Sequence, residues 1–411
     1  VSALIAGGAV EVEVALALGL EAGTGRWDDP AAVFGVTRWG QSDSSLGDWV
    51  DVTCQTLELH LEMSGDEPDP LVPLPYAGTC TGRLIGDLFD PWTGPWQGLI
   101  GEGTAARVRA RASAGDSWST VIDGQVTAYT WDPAGLVAEL EVTDRLMLLN
   151  FDLPAVDPPV GGGEVASARI GRLLDRAEWS GGRALVAGGE PMLPTTLDGA
   201  GITSLRTIAE SDLGLLTMSR DATISYLPGG FPFPVTPTWA LTVCPTPGET
   251  HLVTMDTRAG GQLVNVCSIS RQSDEGTEAD TYTAREETSV ARYGPRTYKR
   301  TDLQHSDPAQ SQTVAQFVVA RDAWPSRPPV AVTLDSRIDP AAAVCLLLAD
   351  TADRVDVRGM DGTVSTLIVT GWQVDVDHFV VAGHLRVTPE SVVTGAVFDR
   401  AVWDSDRWEA A

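Results

Sequence analysis

The segment Arg107-Val108-Arg109-Ala110-Arg111 decides the reading of this 411-residue chain. Charged and apolar residues alternate along it, the period that lines one face of a sheet with hydrocarbon and leaves the other to solvent. The same period runs through Val10 to Leu18, Val50 to Leu61, Thr120 to Tyr129 and Leu136 to Val142, punctuated by turn-forming residues. Residues 1–155 therefore read as a β-barrel or sandwich. A similar pattern recurs downstream. Arg107-Val108 is followed 17 residues on by Gly124 and then by Leu140-Glu141-Val142-Thr143, and Arg354-Val355 is followed 17 residues on by Gly371 and then by Leu385-Arg386-Val387-Thr388. The spacing predicts a duplicated unit in which Gly124 pairs with Gly371 and Val142 with Val387. Glycine at those points would let a neighbouring strand come closer than a Cβ allows.

Between the two β regions the period changes. The Pro/Gly cluster Pro154 to Gly163 suggests a linker over 156–163. Beyond it Ile170, Leu173, Leu174 and Ala177 recur at helical spacing, as do Leu205, Ile208, Ala209 and Leu213, with Thr203 and Ser204 as expected N-caps of the second helix. A hairpin joining Leu215–Met218 to Ile224–Tyr226 completes a small α+β domain over 164–230. The proline-rich stretch 231–250 is expected to be a crossing or edge segment, since proline cannot donate to a ladder. Strand periodicity resumes over 251–395, interrupted by one helix at about 308–321, and 396–411 is an aromatic-acidic C-terminal tail.

The chain carries 56 Asp and Glu against 28 Lys and Arg, a formal net charge of −28. Such a surface repels phosphate backbones and anionic headgroups, so neither nucleic-acid specificity nor stable membrane insertion is expected. The single lysine, Lys299, has no Walker context, and P-loop nucleotide chemistry is excluded. Five cysteines without a CxxC suggest neither a disulfide framework nor a zinc ribbon, which fits assembly in a reducing cytoplasm. The apolar opening Val1 to Leu20 lacks a basic leader, and Glu11 and Glu13 alternate with valines as in a strand.

No motif carries catalysis. Five histidines form no HExxH or other metal spacing, no GxSxG elbow is present, and no cofactor is expected. Gly101 to Ala106 and Gly161 to Ala166 match GxGxxA, but neither follows a buried strand that opens into a helix, so both read as turns. The segment Phe89-Asp90-Pro91-Trp92-Thr93-Gly94-Pro95-Trp96 reads as a turn that presents tryptophans for packing or a protein contact.

These residues resemble a known family in their order. Trp49-Val-Asp51-Val-Thr53, Phe89-Asp90-Pro91-Trp92, Leu99-Ile-Gly101-Glu-Gly103-Thr104, Arg107-Val-Arg109, Ile122-Asp-Gly124-Gln-Val126 and Glu141-Val-Thr-Asp144-Arg-Leu146 are similar to the N-terminal barrel of tail hub and minor tail proteins of tailed bacteriophages. Asn265-Val266 with Arg271, Thr288 through Arg296, Arg354-Val355 and Val369-Thr-Gly371-Trp372 resemble the second barrel of the same proteins. The resemblance implies a mainly β fold with α+β insertions: two tandem hub-type β-barrels plus a small α+β domain. It implies a non-enzymatic virion component at the tail tip, a baseplate hub forming a homotrimer so that six similar barrels face a six-fold tube. Its expected partners are the distal tail protein, the tape measure protein and other minor tail proteins, and it would close the lumen until infection. An actinobacteriophage origin is suggested by arginine over lysine and by Ala, Gly and Val richness. The alternatives are a distal tail ring protein, a tail-tip carbohydrate-binding protein using Trp92, Trp96 and Trp39, or a cell-wall-degrading protein with a paired acid and base in a cleft; the lack of an appended lysin domain speaks against degradation. Arg107, Arg109, Arg292, Arg296, Trp92 and Trp96 are the candidate interface residues. The segment Trp27 to Gly47 has no assignable place in the family pattern.

Overall fold

The computed structural model describes residues 4–6, 10–18, 49–63, 77–156, 159–229, 238–257, 263–272, 278–325, 328–377 and 380–390. Trp27 to Gly47, including Trp39, and the tail 396–411 lie outside the described residues.

The first β region supplies β1 (Val10–Ala17), β2 (Thr56–Met63), β3 (Thr79–Ile85), β4 (Ala105–Arg111), β5 (Ser119–Asp132) and β6 (Val137–Asp144). In space they run β1-β4-β5-β6-β3-β2. Alternation does what the sequence requires of it: Ala106, Val108 and Ala110 of β4 face the core, and Arg107, Arg109 and Arg111 face outward.

The chain then forms α1 (Ala166–Arg176), α2 (Gly201–Asp212) and a hairpin of β7 (Leu215–Met218) and β8 (Ile224–Leu227). Ile170, Leu173 and Leu174 of α1 are fully buried, as are Leu205, Ile208 and Ala209 of α2. The expected N-caps are corrected: α2 is capped by Ala200 without a side-chain bond, and Thr203 and Ser204 lie inside it. The pairing of Gly199–Ala200 with Asp152–Leu153 delivers the chain directly into the first turn, leaving no place for a capping loop.

In the proline-rich stretch the strand β9 (Trp239–Thr242) forms from four residues free of proline. After it come β10 (Thr254–Thr257), then β11 (Val266–Gln272), β12 (Glu278–Arg285), α3 (Glu287–Tyr293), β13 (Thr297–Leu303) and α4 (Pro308–Asp322). The helix expected near 308–321 thus belongs to a larger insertion, a separate three-stranded sheet β12-β11-β13 covered by α4. Cys267, Ile269, Leu303, Val314, Phe317 and Val318 form its own core. The last segments are β14 (Pro329–Asp335), α5 (Ala341–Leu348), β15 (Arg354–Arg358), β16 (Val364–Asp377) and β17 (Val381–Pro389).

The second unit repeats the first. Its strands run β9-β15-β16-β17-β14-β10, the same permutation of chain order as β1-β4-β5-β6-β3-β2. One strand direction differs, since β9 is parallel to β15 whereas β1 is antiparallel to β4. A β-bulge marks the same place in both: Thr127 is the extra residue between Val126 and Ala128, and Thr370 between Val369 and Gly371. Just before the bulge, Val126 exchanges backbone hydrogen bonds with Gly103 and Thr104 at 2.8 Å, and Val369 with Ala352 and Asp353 at 2.9 Å. Aligned on the bulge, Val142 pairs with Val387 as expected. Gly124 does not fall on Gly371, whose counterpart is Ala128, four residues later. The equal 17-residue spacings were misleading because the first hairpin has a longer tip, which shifts Arg107 relative to Arg354. Each glycine nevertheless serves a close approach. A Cβ on Gly124 would lie 2.0 Å from the Thr143 carbonyl oxygen, and one on Gly371 2.2 Å from that of Met63.

Two separately closed barrels are not found among the described residues; both units belong to one 15-stranded sheet. The reason is the 14-residue length of β16. Its first half pairs with β15, and its second half, Trp372–Asp377, pairs on the same edge with Met63–Glu58 of β2. The sheet therefore continues from one unit into the other instead of closing on itself. Leu59, Leu61 and Met63 meet Trp372, Val374 and Val376 on the buried face of this joint, each burial contributing roughly 1.5–3 kcal/mol. On the outer face His60 Nδ1 lies 2.6 Å from Asp375 Oδ1.

Gly371→Ala should lower stability by roughly 1–3 kcal/mol in urea unfolding, the cost of forcing β2 away from the added methyl. Gly101→Ala, where a Cβ meets nothing within 4 Å, should leave the midpoint unchanged.

Candidate assembly surfaces

Of the arginines expected at an interface, two are already committed within the chain. Arg109 donates to Glu13 across β1 and β4, with Nη2 at 2.5 Å, and Arg107 lies 3.5 Å from the same carboxylate. Arg111 pairs with Glu11 at 2.5 Å. Tryptophans close this face: Arg107 sits 4.1 Å over the Trp49 ring and Arg111 4.5 Å over that of Trp118. Burial and the neighbouring Arg109 charge pull the Arg107 pKa down from its ordinary value. The cluster sews β1 onto β4.

Arg292 and Arg296 are apart from these, at the end of α3 and in the turn after it, and both are exposed. Arg292 lies 5.2 Å over the Tyr293 ring. The main chain of Arg296 is fixed through bonds to Asn265 and Val266.

Trp92 and Trp96 share one turn but have different roles. Asp90 accepts from the Trp92 and Thr93 amides and from the Thr93 hydroxyl at 2.7–3.1 Å, and the Trp92 bond above all draws the carboxyl pKa below its usual range. This holds Trp92 in solvent at 65% exposure. Trp96 turns inward, edge-on to Phe89 with ring centroids 5.4 Å apart.

One buried charge at the centre of the structure was not legible in the sequence. Arg220, in the β7–β8 turn, stacks 3.8 Å over Trp372 and donates to the Leu346 and Ala349 carbonyls at the C-terminus of α5. Its backbone amide donates to Asp350, 3.1 Å away. Here a cation meets the negative end of a helix and satisfies carbonyls that have no partner within it. Burial pushes the guanidinium down to about 10 against the pull of Asp350 and Asp353. Beside it a cavity of about 10 Å³, room for about one water, is lined by Leu61, Met63, Asp144, Arg220 and Trp372. The first unit, the α+β module and the second unit all meet there. Asp144 accepts from the Gly78 and Leu146 amides at 2.5 and 2.9 Å, yet burial pushes its carboxyl up to about 7. Arg169, which is fully buried, ties the module to the insertion through Gln304 at 3.0 Å and to the linker through the Gly161 carbonyl at 2.6 Å. An arginine within a polar turn or helix gives no local sign that it is buried.

The GxGxxA stretches are turns. The second does lead into α1, where Glu164 is paired with Arg172 at 2.8 Å and Arg169 at 3.3 Å and no side chain caps the first turn. Among the described residues no group of three or more His, Cys, Asp or Glu side chains could hold a metal ion. No helix among them is long and apolar enough to cross a membrane.

The fold is shared with phage tail proteins. The crystal structure of the tail protein from Neisseria meningitidis MC58 matches with a TM-score of 0.59 at 13% identity, covering 94% of this chain and 98% of that one. The 43 kDa tail protein of prophage MuSo2 from Shewanella oneidensis matches with a TM-score of 0.55 at 13% identity, covering 93% and 99%. No family model matches the sequence, and no curated protein does.

Replacing Arg220 by methionine should cost about 3–5 kcal/mol, since it leaves helix-end carbonyls and two acidic neighbours without their cation, whereas Arg292→Met should stay within about 0.5 kcal/mol. For Asp144, whose folded pKa is raised above its unfolded value, protonation stabilises the fold at low pH. That contribution is lost as pH rises from about 4 to about 7. The stability of the wild type relative to Asp144→Asn should therefore fall over this window and level off above it, as measured by urea midpoints.

Proposed function

We propose that this chain is a structural, non-enzymatic virion protein, the hub at the distal tip of a phage tail, which joins the tail tube and distal ring to the tip proteins. The observation that carries the proposal is the internal repetition of one strand order inside a fold shared, end to end, with two phage tail proteins. A chain that presents two similar units suits a homotrimer facing a six-fold tube, because three copies then offer six equivalent contacts. In this reading 1–155 and 251–395 are the two hub units and 164–230 is an inserted module. The distal tail protein, the tape measure protein and other minor tail proteins are its neighbours. Trp92 and Arg296, exposed on anchored turns, and Arg292, exposed at the end of α3, are the proposed contact residues, whereas Arg107 and Arg109 brace the first unit and Trp96 supports the Trp92 turn.

Gold-labelled antibody against the purified chain, applied to particles of the phage or prophage that encodes it, should mark the tail tip in electron micrographs. Labelling along the tube, at the head or on no particle would contradict the proposal, as would sugar or peptide release from host cell wall by the purified protein.

A further inference from the structure

Each unit has one edge that it can offer and one that it can receive. The offering edge is the free side of the terminal strand, β2 in the first unit and β10 in the second. The receiving edge is the second half of the long central strand beyond the bulge, in β16 and, by the same permutation, in β5. Within the chain β2 is offered to β16, which consumes one edge of each kind. One of each is left. Among the described residues β10 pairs only with β14, and all four of its residues, Thr254, Met255, Asp256 and Thr257, are exposed. Past Val126, the side of β5 that β4 follows receives no strand among the described residues. Two unpaired edges of opposite kind on one chain cannot meet each other, but they can meet across copies in a head-to-tail contact that closes into a ring.

We infer that β10 of one copy pairs with the second half of β5 in the next, repeating between chains the joint that β2 and β16 make within one. The inference rests on the proposed ring of copies and names the edges that build it. Register follows from the repeat. Thr254, Met255 and Asp256 take the positions of Glu58, Leu59 and His60 through their partners on β14 and β3, and Asp132 takes the position of Asp375. Asp256 of one copy therefore stands opposite Asp132 of the next, where His60 meets Asp375 inside the chain. Two carboxylates replace a histidine–carboxylate pair, so the contact between chains is weaker than the one within them and grows stronger as salt screens it. The internal joint keeps its permanent pair, and the reversible one falls between copies.

The test uses the full chain. Val253 donates its amide to Thr333 on β14, so by alternation the amides of Thr254 and Asp256 point outward. Thr254→Pro and Asp256→Pro remove those outward donors without touching the ladder to β14. Sedimentation of the wild type should give three times the 43.5 kDa of one chain, with the trimer fraction rising between low and moderate salt. Both proline variants should run as monomers with an unchanged circular dichroism spectrum. Should a proline variant fail to fold, the Asp132→Cys/Asp256→Cys double variant gives the second readout: oxidation should produce a ladder of linked chains that neither single variant gives. A folded proline variant that remains trimeric, or a double variant that does not cross-link within a trimer, overturns the β10–β5 pairing and leaves the hub reading standing. A wild type that is monomeric at every salt concentration overturns both.

Discussion

The pairing of β2 with the second half of β16 is the contact on which the rest of the structure depends. Without it the 15-stranded sheet would break into two, one in each unit. With it, a single sheet passes from one to the other, and every later feature takes its position from that seam. The seam demands three local devices. A bulge at Thr370 turns β16 away from β15, Gly371 lets the Met63 carbonyl come close, and an alternating apolar face buries Leu59, Leu61 and Met63 against Trp372, Val374 and Val376. Removing any one of these disturbs both units together, since neither has another strand to offer at that place among the described residues.

The small α+β module is locked onto the seam by a charge. Arg220 reaches from the β7–β8 turn to cover Trp372, the first residue of β16 to pair with β2, and at the same time caps α5. A cation buried this deeply is costly unless its charge is compensated, and here Nε and Nη2 donate to carbonyls while Asp350 and Asp353 lie close by. The arrangement makes the module part of the joint between units and not an appendage. It also accounts for the use of arginine throughout the chain. With 56 acidic residues against 28 basic ones, the basic side chains described are largely spent on internal stitching: Arg109 on Glu13, Arg172 on Glu164 and Arg300 on Glu210.

Legibility in the sequence followed the range of the physics. Period-two alternation located the strands because one face must be buried whatever the neighbours are, and helical spacing located α1 and α2 for the same reason. The duplication was visible in Leu140-Glu141-Val142-Thr143 and Leu385-Arg386-Val387-Thr388, whose valines occupy equivalent places beside the bulge. The glycine correspondence failed because hairpin tips differ in length and a bulge leaves no sequence mark of its own. That the two β regions share one sheet was not legible, because it rests on a long-range event, a strand long enough to serve two neighbours. The three-stranded sheet of the insertion was read as a continuation of the second β region, since alternation records that a strand is half-buried without saying against which core. The turn was legible because Asp-Pro with a following Thr fixes it locally, but which tryptophan stands in solvent was not: Trp92 is exposed and Trp96 packs against Phe89. Arg107 and Arg109 were read as candidate interface residues, and their registration against Glu13, about a hundred residues away in the chain, is what makes them braces within the unit.

The central claim is that one repeating unit is joined to the next in the same way throughout. A cryo-electron reconstruction of the purified assembly, refined without imposed symmetry, tests this most directly. The account predicts that the operation superposing the first unit on the second within a chain, applied again, places the second unit on the first unit of the next chain, so that six units form one ring with strands paired at every junction. A ring whose chain-to-chain junctions bring other elements together, or an assembly with no ring, would contradict it.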